Sequence, residues 1–131
     1  LVNFWQDIAR DAQQLGRIYL PQEMMERHGI DEQTIAQGEP TAAFREAIAA
    51  EVARAEDFLN AGWPLVASVS PALRIDVELF IRGGLAVAGA IRRSDFDVLG
   101  RRPTVSKQMK LRLLAATWWR QRVLRRYNAL L

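Results

Sequence analysis

Three polar side chains near the start of the sequence are spaced as they would be on one face of a helix. Asn3, Asp7 and Asp11 follow one another at intervals of four residues, which aligns side chains along an α-helix. Two carboxylates at this spacing repel each other, so a cation or a basic partner between them would offset the repulsion. Carboxylate and amide oxygens suit Mg²⁺, which commonly takes one or two protein carboxylates together with water and substrate phosphate. The alternative is an ordinary solvated helix face, and the spacing by itself favours that alternative.

A short segment just beyond the carboxylates changes this balance. Residues 16–21 read Gly-Arg-Ile-Tyr-Leu-Pro and place a guanidinium, Arg17, and a phenol, Tyr19, after the two aspartates. Arg17 could neutralise diphosphate oxygens through bidentate contacts. Carboxylates followed by an anion-binding side chain favour a metal and diphosphate site over a solvated face.

Composition limits the kind of protein that carries these residues. A chain of 131 residues, half of them hydrophobic and a quarter charged, has the size of one domain and is neither disordered nor collagen-like. The absence of cysteine excludes a disulfide framework, a thiolate nucleophile and a cysteine metal site in this sequence. The apolar runs are far shorter than the roughly 20 residues of a transmembrane helix.

Hydrophobic periodicity and capping residues predict an all-α fold. No segment alternates as a β-strand does, whereas apolar residues recur at steps of three and four. The stretch from Asp31 to Pro40 is rich in turn formers and is expected to be irregular. The predicted helices run from Leu1 to about Gln14, from Pro21 to about His28, from Thr41 to about Gly62, from Ser70-Pro71 to about Arg93, and from Ser106 to about Tyr127. Gly16 is the predicted stop of the first helix, Thr41 and Ser106 are predicted N-caps, and Trp63-Pro64 is predicted to interrupt the third helix, whose apolar stripe is Phe44, Ile48, Val52, Ala55 and Leu59.

Two strings around the aspartates resemble a known family. Asn-Phe-Trp-Gln-Asp-x-x-x-Asp at residues 3–11, followed by Gly-Arg-Ile-Tyr-Leu-Pro-Gln-Glu at residues 16–23, closely resembles the second aspartate-rich motif of the squalene and phytoene synthase family. The resemblance continues through Gly83-Gly84, residues 95–98 and Arg101-Arg102-Pro103, and so covers most of the chain. It implies the C-terminal part of an isoprenoid-synthase-type helical bundle, and a Mg²⁺-dependent transferase or lyase that acts on prenyl diphosphates.

Residue 6 suggests a branch within the family. Glutamine stands there, where many members carry arginine, and in this the chain is most similar to the bacterial hydroxysqualene synthases of hopanoid biosynthesis. That branch converts presqualene diphosphate and water to hydroxysqualene. The alternative products are those of squalene, dehydrosqualene and phytoene synthases, which join two prenyl diphosphates such as farnesyl diphosphate.

The resemblance also implies roles for individual residues. It implies that Asp7 and Asp11 bind Mg²⁺ with help from Asn3, and that Asp7, Asp11 and Tyr19 are the catalytic residues. Substrate contacts are implied for Asn3, Arg17, Tyr19 and Arg101. One departure is that the stretch between Asp11 and the Gly-Arg pair is one residue longer than the family's usual spacing.

The first aspartate-rich motif of the family has no counterpart in this sequence. We therefore expect it upstream of Leu1, in an N-terminal half of the same helical domain, of which residues 1–131 form the C-terminal half. Since ionisation in the family uses both motifs, the 131-residue chain by itself is expected to be inactive.

The reaction also requires an apolar pocket. A carbocation needs dry, partly aromatic walls. Phe4, Trp5, Phe80 and Leu85 are candidates for such walls, although ordinary core packing is the favoured role for each of them.

The C-terminal end is basic. Nine basic residues lie between Arg101 and Arg126, and no acidic residue follows Asp97. A basic helix with Trp118 and Trp119 could dock at an anionic membrane surface, so we expect a cytoplasmic protein with peripheral association at the inner face of the membrane. A solvated basic face is an equal alternative.

The alternative to an enzyme is a non-enzymatic helical module that binds membrane or nucleic acid. No nucleic-acid motif accompanies the basic charge, so no nucleic-acid partner is expected.

Overall fold

Capping residues and glycines divide the chain into helices. The computed structural model describes residues 2–128, and the surroundings of side chains as far as residue 123. Within that range there are eight helices and no strand, which confirms the all-α prediction. The helices are α1 (Val2–Gln6), α2 (Ile8–Leu15), α3 (Gln22–His28), α4 (Glu32–Gln37), α5 (Ala42–Ala61), α6 (Trp63–Ser68), α7 (Arg74–Arg93) and α8 (Lys107–Asn128).

Helix α5 forms the centre of the core. The Thr41 side chain accepts a hydrogen bond from the Phe44 N–H at 3.2 Å, which caps the helix as predicted. The predicted apolar stripe is buried along most of its length, since Phe44, Ile48, Val52 and Ala55 are all at most 2% exposed. The helix packs against α1, α3, α6 and α7.

Helices α7 and α8 form the other side of the molecule. Helix α7 contacts α1, α5, α6 and α8. It begins at Arg74 rather than at Ser70-Pro71, because the Leu73 N–H bonds to the Ser70 carbonyl at 2.9 Å and closes a separate turn first. The predicted cap of α8 is confirmed, since the Met109 N–H donates to Ser106 Oγ at 3.2 Å.

Two short helices were not predicted from the spacing of apolar residues. Helix α4 lies in the stretch predicted to be irregular; the Asp31 carboxylate caps it by accepting from the Thr34 N–H at 2.7 Å, and it buries Ile35. Helix α6 follows the predicted interruption, with Pro64 in its first turn, where the missing N–H of proline costs no hydrogen bond. Helices of six residues are too short to show a repeat.

The first predicted helix is interrupted at Asp7. This residue has φ −106° and ψ 5° and separates α1 from α2. Helical hydrogen bonding nevertheless continues across it, from the Asp7 N–H to Asn3 O at 3.1 Å and from the Asp11 N–H to Asp7 O at 2.9 Å. Gly16, at φ +60°, ends α2 as predicted. Leu1, the expected first residue of this helix, lies outside the described residues.

Candidate active site

Asp7 lies at the junction of α1 and α2 and faces two arginines. Its carboxylate accepts hydrogen bonds from Arg102 Nε at 2.5 Å and Nη2 at 3.3 Å. Nη2 of Arg10 lies 3.0 Å from the Oδ2 of Asp7. The Asp7 side chain is only 12% exposed, whereas those of Arg10 and Arg102 are 47% and 51% exposed. A largely buried carboxylate is thus covered by two cations that reach solvent.

Arg10 also joins the two carboxylates. The same Nη2 atom lies 3.0 Å from Asp11 Oδ1, to which Arg10 Nε donates at 3.0 Å. Asp11 itself is 5% exposed. Because one nitrogen contacts both carboxylates, Asp7 and Asp11 lie close enough for a single cation to bridge them. The hydrogen bond to Asp11, with the charges of both aspartates, raises the pKa of Arg10 against an opposing effect of desolvation, so Arg10 is charged.

The connection between α7 and α8 carries Arg102 to Asp7. Val98 in this connection is fully buried in the core. Gln6 of α1 donates a hydrogen bond from its amide to the Pro103 carbonyl, next to Arg102. The connection is therefore fixed on both sides of the arginine, and Gln6, on which the branch interpretation rests, helps to position it.

Neither Arg10 nor Arg102 was predicted from the sequence to be a partner of the aspartates. The pairing of Arg10 with Asp7 could have been predicted from the sequence, because a spacing of three residues places both side chains on the same helix face. Arg102 is 95 positions away from Asp7, and nothing in local spacing could have paired them.

The other predicted site residues surround the carboxylates more loosely. Tyr19 is half-buried, and its ring stacks on that of Phe4 with centroids 4.6 Å apart. Arg17 is exposed, and its backbone N–H bonds to the Asp11 carbonyl at 3.1 Å. Asn3 is exposed and lines an apolar cavity between α1, α5, α7 and α8. Arg101 is exposed and precedes Arg102 in the chain. The roles of these four residues stay predictions.

An apolar cavity of about 620 Å³ opens between α1, α5, α7 and α8. Its lining is hydrophobic apart from Asn3 and Lys110. Phe80 contributes to this lining and is 76% exposed. Asn3 precedes Asp7 by one helical turn, so the cavity adjoins the carboxylates.

Two glycines of α7 shape this cavity. A Cβ on Gly84 would lie 2.7 Å from the Cδ1 of Leu59, so glycine lets α5 approach α7 closely at this point. At Gly83 nothing lies within 4 Å of the corresponding position, and the missing side chain leaves room in the cavity.

The aromatic and apolar wall candidates divide into different roles. Phe80 lines the cavity. Trp5 is 2% exposed and belongs to the core, Phe4 stacks on Tyr19, and Leu85 lines a separate cavity of about 290 Å³. Of the four candidates, Phe80 is therefore the one placed to contact an apolar ligand in the large cavity.

The donor set fits Mg²⁺. Asp7, Asp11 and Asn3 can each supply an oxygen ligand, and Mg²⁺ commonly binds through one or two carboxylates and completes its shell with water and phosphate. No cluster of three or more acidic, histidine or cysteine residues that could enclose a metal occurs in the described part of the chain. The arrangement suits a metal that arrives with a phosphate ligand.

Comparison with known proteins identifies the family. Residues 1–109 match the family model described as squalene/phytoene synthase. The chain belongs to this family. Squalene/phytoene synthase relatives include the chloroplastic phytoene synthase of Daucus carota, 33% identical over 111 residues that cover 85% of this chain and 28% of that protein. Chloroplastic phytoene synthase 2 of Solanum lycopersicum is 29% identical over 123 residues, 94% of this chain and 39% of that protein.

A further relative is also a phytoene synthase. The phytoene synthase of Arthrospira platensis is 27% identical over 124 residues, which cover 95% of this chain and 40% of that protein. The chain thus spans less than half the length of these squalene/phytoene synthase relatives. No solved structure matches it significantly.

Proposed function

We propose that this protein ionises a prenyl diphosphate with Mg²⁺ held by Asp7 and Asp11. The observation that carries the proposal is the bridging of two carboxylates by one cation, the Arg10 guanidinium, beside an apolar cavity of about 620 Å³. Membership of the squalene/phytoene synthase family, and relatives that are phytoene synthases, support the substrate class.

The proposed chemistry is heterolysis of a carbon–oxygen bond. The diphosphate leaves with the electron pair and the prenyl carbon becomes a carbocation. A bound Mg²⁺ would neutralise charge on the departing diphosphate. Asp7 and Asp11 hold the metal in this proposal, and Asn3 supplies an amide oxygen at the edge of the cavity.

The arginines act on the leaving group. Arg10 and Arg102 are about half exposed and reach the carboxylates from the solvent side. Guanidinium groups bind phosphate oxygens as readily as carboxylates, so Arg10 and Arg102 could turn to the diphosphate if Asp7 and Asp11 held a metal. Arg17, Arg101 and Tyr19 are proposed to add substrate contacts from neighbouring segments.

The cavity accommodates the prenyl chain. Apart from Asn3 and Lys110, its lining consists of aliphatic and aromatic residues, which offer the carbocation no nucleophile. Apolar walls also keep bulk water away from the cation, which would otherwise be quenched early.

Two alternative products are proposed, and the preferred one is given first. The first is hydroxysqualene from presqualene diphosphate, in which water adds to the carbocation and loses a proton; the glutamine at position 6 motivates it. The second is a head-to-head condensation product of two prenyl diphosphates, which the phytoene synthase relatives favour.

We also propose that these residues form one half of a helical domain. The proposal rests on the single aspartate pair and on the 28–40% of the relatives' length that the chain spans. The other carboxylate cluster would belong to the N-terminal half.

A peripheral membrane contact through α8 is proposed for a cytoplasmic protein. Trp118 and Trp119 are 49% and 67% exposed, and the guanidinium of Arg122 lies 4.8 Å from the Trp118 ring centroid. Tryptophan and arginine suit an anionic interface. Arg125 and Arg126 continue this basic sequence, but their side chains lie outside the described residues. No helix in the described range is long and apolar enough to cross a membrane.

Vesicle sedimentation tests the membrane contact. We expect binding to phosphatidylglycerol vesicles, weakened by salt and by Trp119→Ala, and much weaker binding to phosphatidylcholine. Equal binding to both lipids, or none to either, would contradict this proposal.

Diphosphate release tests the enzymatic proposal. The full-length protein is incubated with Mg²⁺ and with farnesyl, geranylgeranyl or presqualene diphosphate, and the products are identified by mass spectrometry. We expect release with at least one substrate and its loss in Asp7→Ala and Asp11→Ala. Full activity in both variants would refute the metal role, and the identity of the product decides between the two candidates.

A further inference from the structure

Helix α8 has its polar residues where a docked helix normally has apolar ones. Lys110 and Leu113 line the cavity, and Thr117 and Gln121, which follow them at steps of four residues, are at most 4% exposed. Most of the apolar side chains described on α8 lie elsewhere: Leu111, Leu114, Trp118 and Trp119 are between 49% and 67% exposed, whereas Leu113 lines the cavity. Little of the apolar surface described on α8 is therefore buried, and its burial contributes little to holding the helix in place.

A buried carboxylate on α7 provides the contact instead. Glu78 is fully buried and accepts from Arg120 Nε at 2.9 Å and from Gln121 Nε2 at 2.7 Å. Arg120 Nη2 lies 2.8 Å from its second oxygen, and Arg82 of its own helix donates at 2.8 Å. Both carboxylate oxygens are thus bound by side chains of α8.

The same network reaches α6. The guanidinium carbons of Arg82 and Arg120 lie 5.3 Å and 5.8 Å from the Trp63 ring centroid. Burial by itself would raise the pKa of Glu78, but the hydrogen bonds from Arg120, Gln121 and Arg82 outweigh it and lower the pKa. Glu78 is ionised at neutral pH and pairs with Arg82 of α7 and Arg120 of α8, and both arginines contact the Trp63 ring of α6.

This contact lies two turns from the cavity wall. Helix α8 contributes Lys110 and Leu113 to the lining of the cavity, and Leu113 is seven residues, about 10 Å along the helix, from Arg120. Glu78 is followed directly by Leu79 and Phe80, which line the cavity from α7. The distance between the two walls depends on how α8 is fastened at Glu78.

We propose that Glu78 is a positioning residue that holds α8 as a wall of the cavity and so limits the length of the prenyl chain that the cavity accepts. The proposal rests on the function proposed above for the cavity. Arg120 and Gln121 lie beyond residue 109, where the match to the family model ends.

Glu78→Gln tests the proposal, because every group that contacts this carboxylate is a hydrogen-bond donor. The amide of glutamine keeps one acceptor and turns an NH₂ group towards donors. Glu56→Gln is the matched control, since Glu56 also forms a cross-helix ion pair, at 2.5 Å to Arg92 Nη2, but one that joins α5 to α7. Arg120→Met removes the contact from the α8 side and serves if Glu78→Gln does not fold.

The first measurement is hydrogen exchange of the full-length protein without ligands. In Glu78→Gln we expect amides of α8 to exchange about tenfold faster, the effect of losing one charged hydrogen bond, while α5 is unchanged. In Glu56→Gln α8 should exchange as in the wild type. Unchanged exchange in α8, or an equal increase in every helix, would overturn the fastening role.

The second measurement is the affinity for farnesyl and geranylgeranyl diphosphate, with inorganic diphosphate as a third probe. Glu78→Gln should shift the affinity ratio towards the longer chain by about threefold or more and leave inorganic diphosphate binding unchanged. Faster exchange in α8 with an unchanged ratio would overturn the role in chain length. If the wild type binds none of the three probes, the proposed function fails, while the exchange experiment still decides whether Glu78 fastens α8.

Discussion

Replacing Asp7 with asparagine removes one negative charge and keeps the shape of the side chain. Two alternative roles of Asp7 predict different results for this substitution. If Asp7 belongs to a solvated, ion-paired helix face, its loss affects stability and little else. If it holds the metal, its loss affects the reaction far more than the fold.

The stability cost follows from the contacts of Asp7. Its partners, Arg10 and Arg102, are 47% and 51% exposed, and ion pairs with exposed partners contribute about 0–1 kcal/mol each because solvent screens them. The free energy of unfolding should therefore fall by less than about 2 kcal/mol. Chemical denaturation of the full-length variant measures this.

The activity cost is expected to be larger. Removing one group that stabilises the charge of a leaving anion typically lowers kcat by about 10²–10³-fold, or roughly 3–4 kcal/mol of the barrier. We expect a loss of this size in diphosphate release by Asp7→Asn, and a similar loss in Asp11→Asn. A coupled assay for released diphosphate, run over a range of Mg²⁺ concentrations, measures it.

A surface ion pair on another helix provides the control. Glu23 pairs with Arg27 at 2.6 Å and its side chain is 80% exposed, so Glu23→Gln removes the same charge without touching the site. Its activity should match that of the wild type. If Asp7→Asn stays folded and retains activity within about threefold of the control, Asp7 does not hold a catalytic metal.

Three further predictions follow from the cavity and from α8. Gly83→Leu should fold normally, because nothing lies within 4 Å of its Cβ position, and should weaken binding of geranylgeranyl relative to farnesyl diphosphate about tenfold by filling the cavity. Thr117→Val should raise the free energy of unfolding by about 1 kcal/mol in chemical denaturation, because the Thr117 hydroxyl is buried without a hydrogen-bond partner among the described residues. Since the pKa of Glu78 lies below its ordinary value of 4.5, its stabilisation of α8 is complete above pH 4.5 and is lost as the pH falls through the lowered pKa; hydrogen exchange of α8 at decreasing pH, corrected for the intrinsic rate, measures this.

Each of these three predictions would be contradicted by a specific result. Equal weakening of both diphosphates by Gly83→Leu would place the prenyl chain outside this cavity. A loss of stability in Thr117→Val would mean that its hydroxyl is satisfied in solution. An acid-induced loosening of α8 that persists unchanged in Glu78→Gln would assign the effect to other carboxylates.

Local signals in the sequence were sufficient for most of the fold. Caps such as Thr41 and Ser106, and the stop at Gly16, act on neighbouring backbone groups, so their effect can be predicted from a few residues. The start of α7 and helices α4 and α6 were not predicted, because a turn or a six-residue helix competes with the longer pattern within a single turn of chain. The break at Asp7 is equally local but has no residue type that marks it.

The sequence by itself determined which groups could do chemistry. The spacing of Asn3, Asp7 and Asp11 and the motif around them indicated a family and a metal-binding pair, because residues four positions apart on a helix are neighbours in any tertiary structure. The structure then brought the two aspartates to one cation, Arg10.

Only the tertiary structure decided what surrounds these groups. The pairing of Arg102 with Asp7 joins residues 95 positions apart, and the cavity needs walls from four helices. The orientation of α8 was hidden for another reason: a helix is expected to bury its apolar face, and α8 instead buries Thr117 and Gln121 near a carboxylate of α7. Contacts of this kind depend on distances in space, which no spacing along the chain encodes.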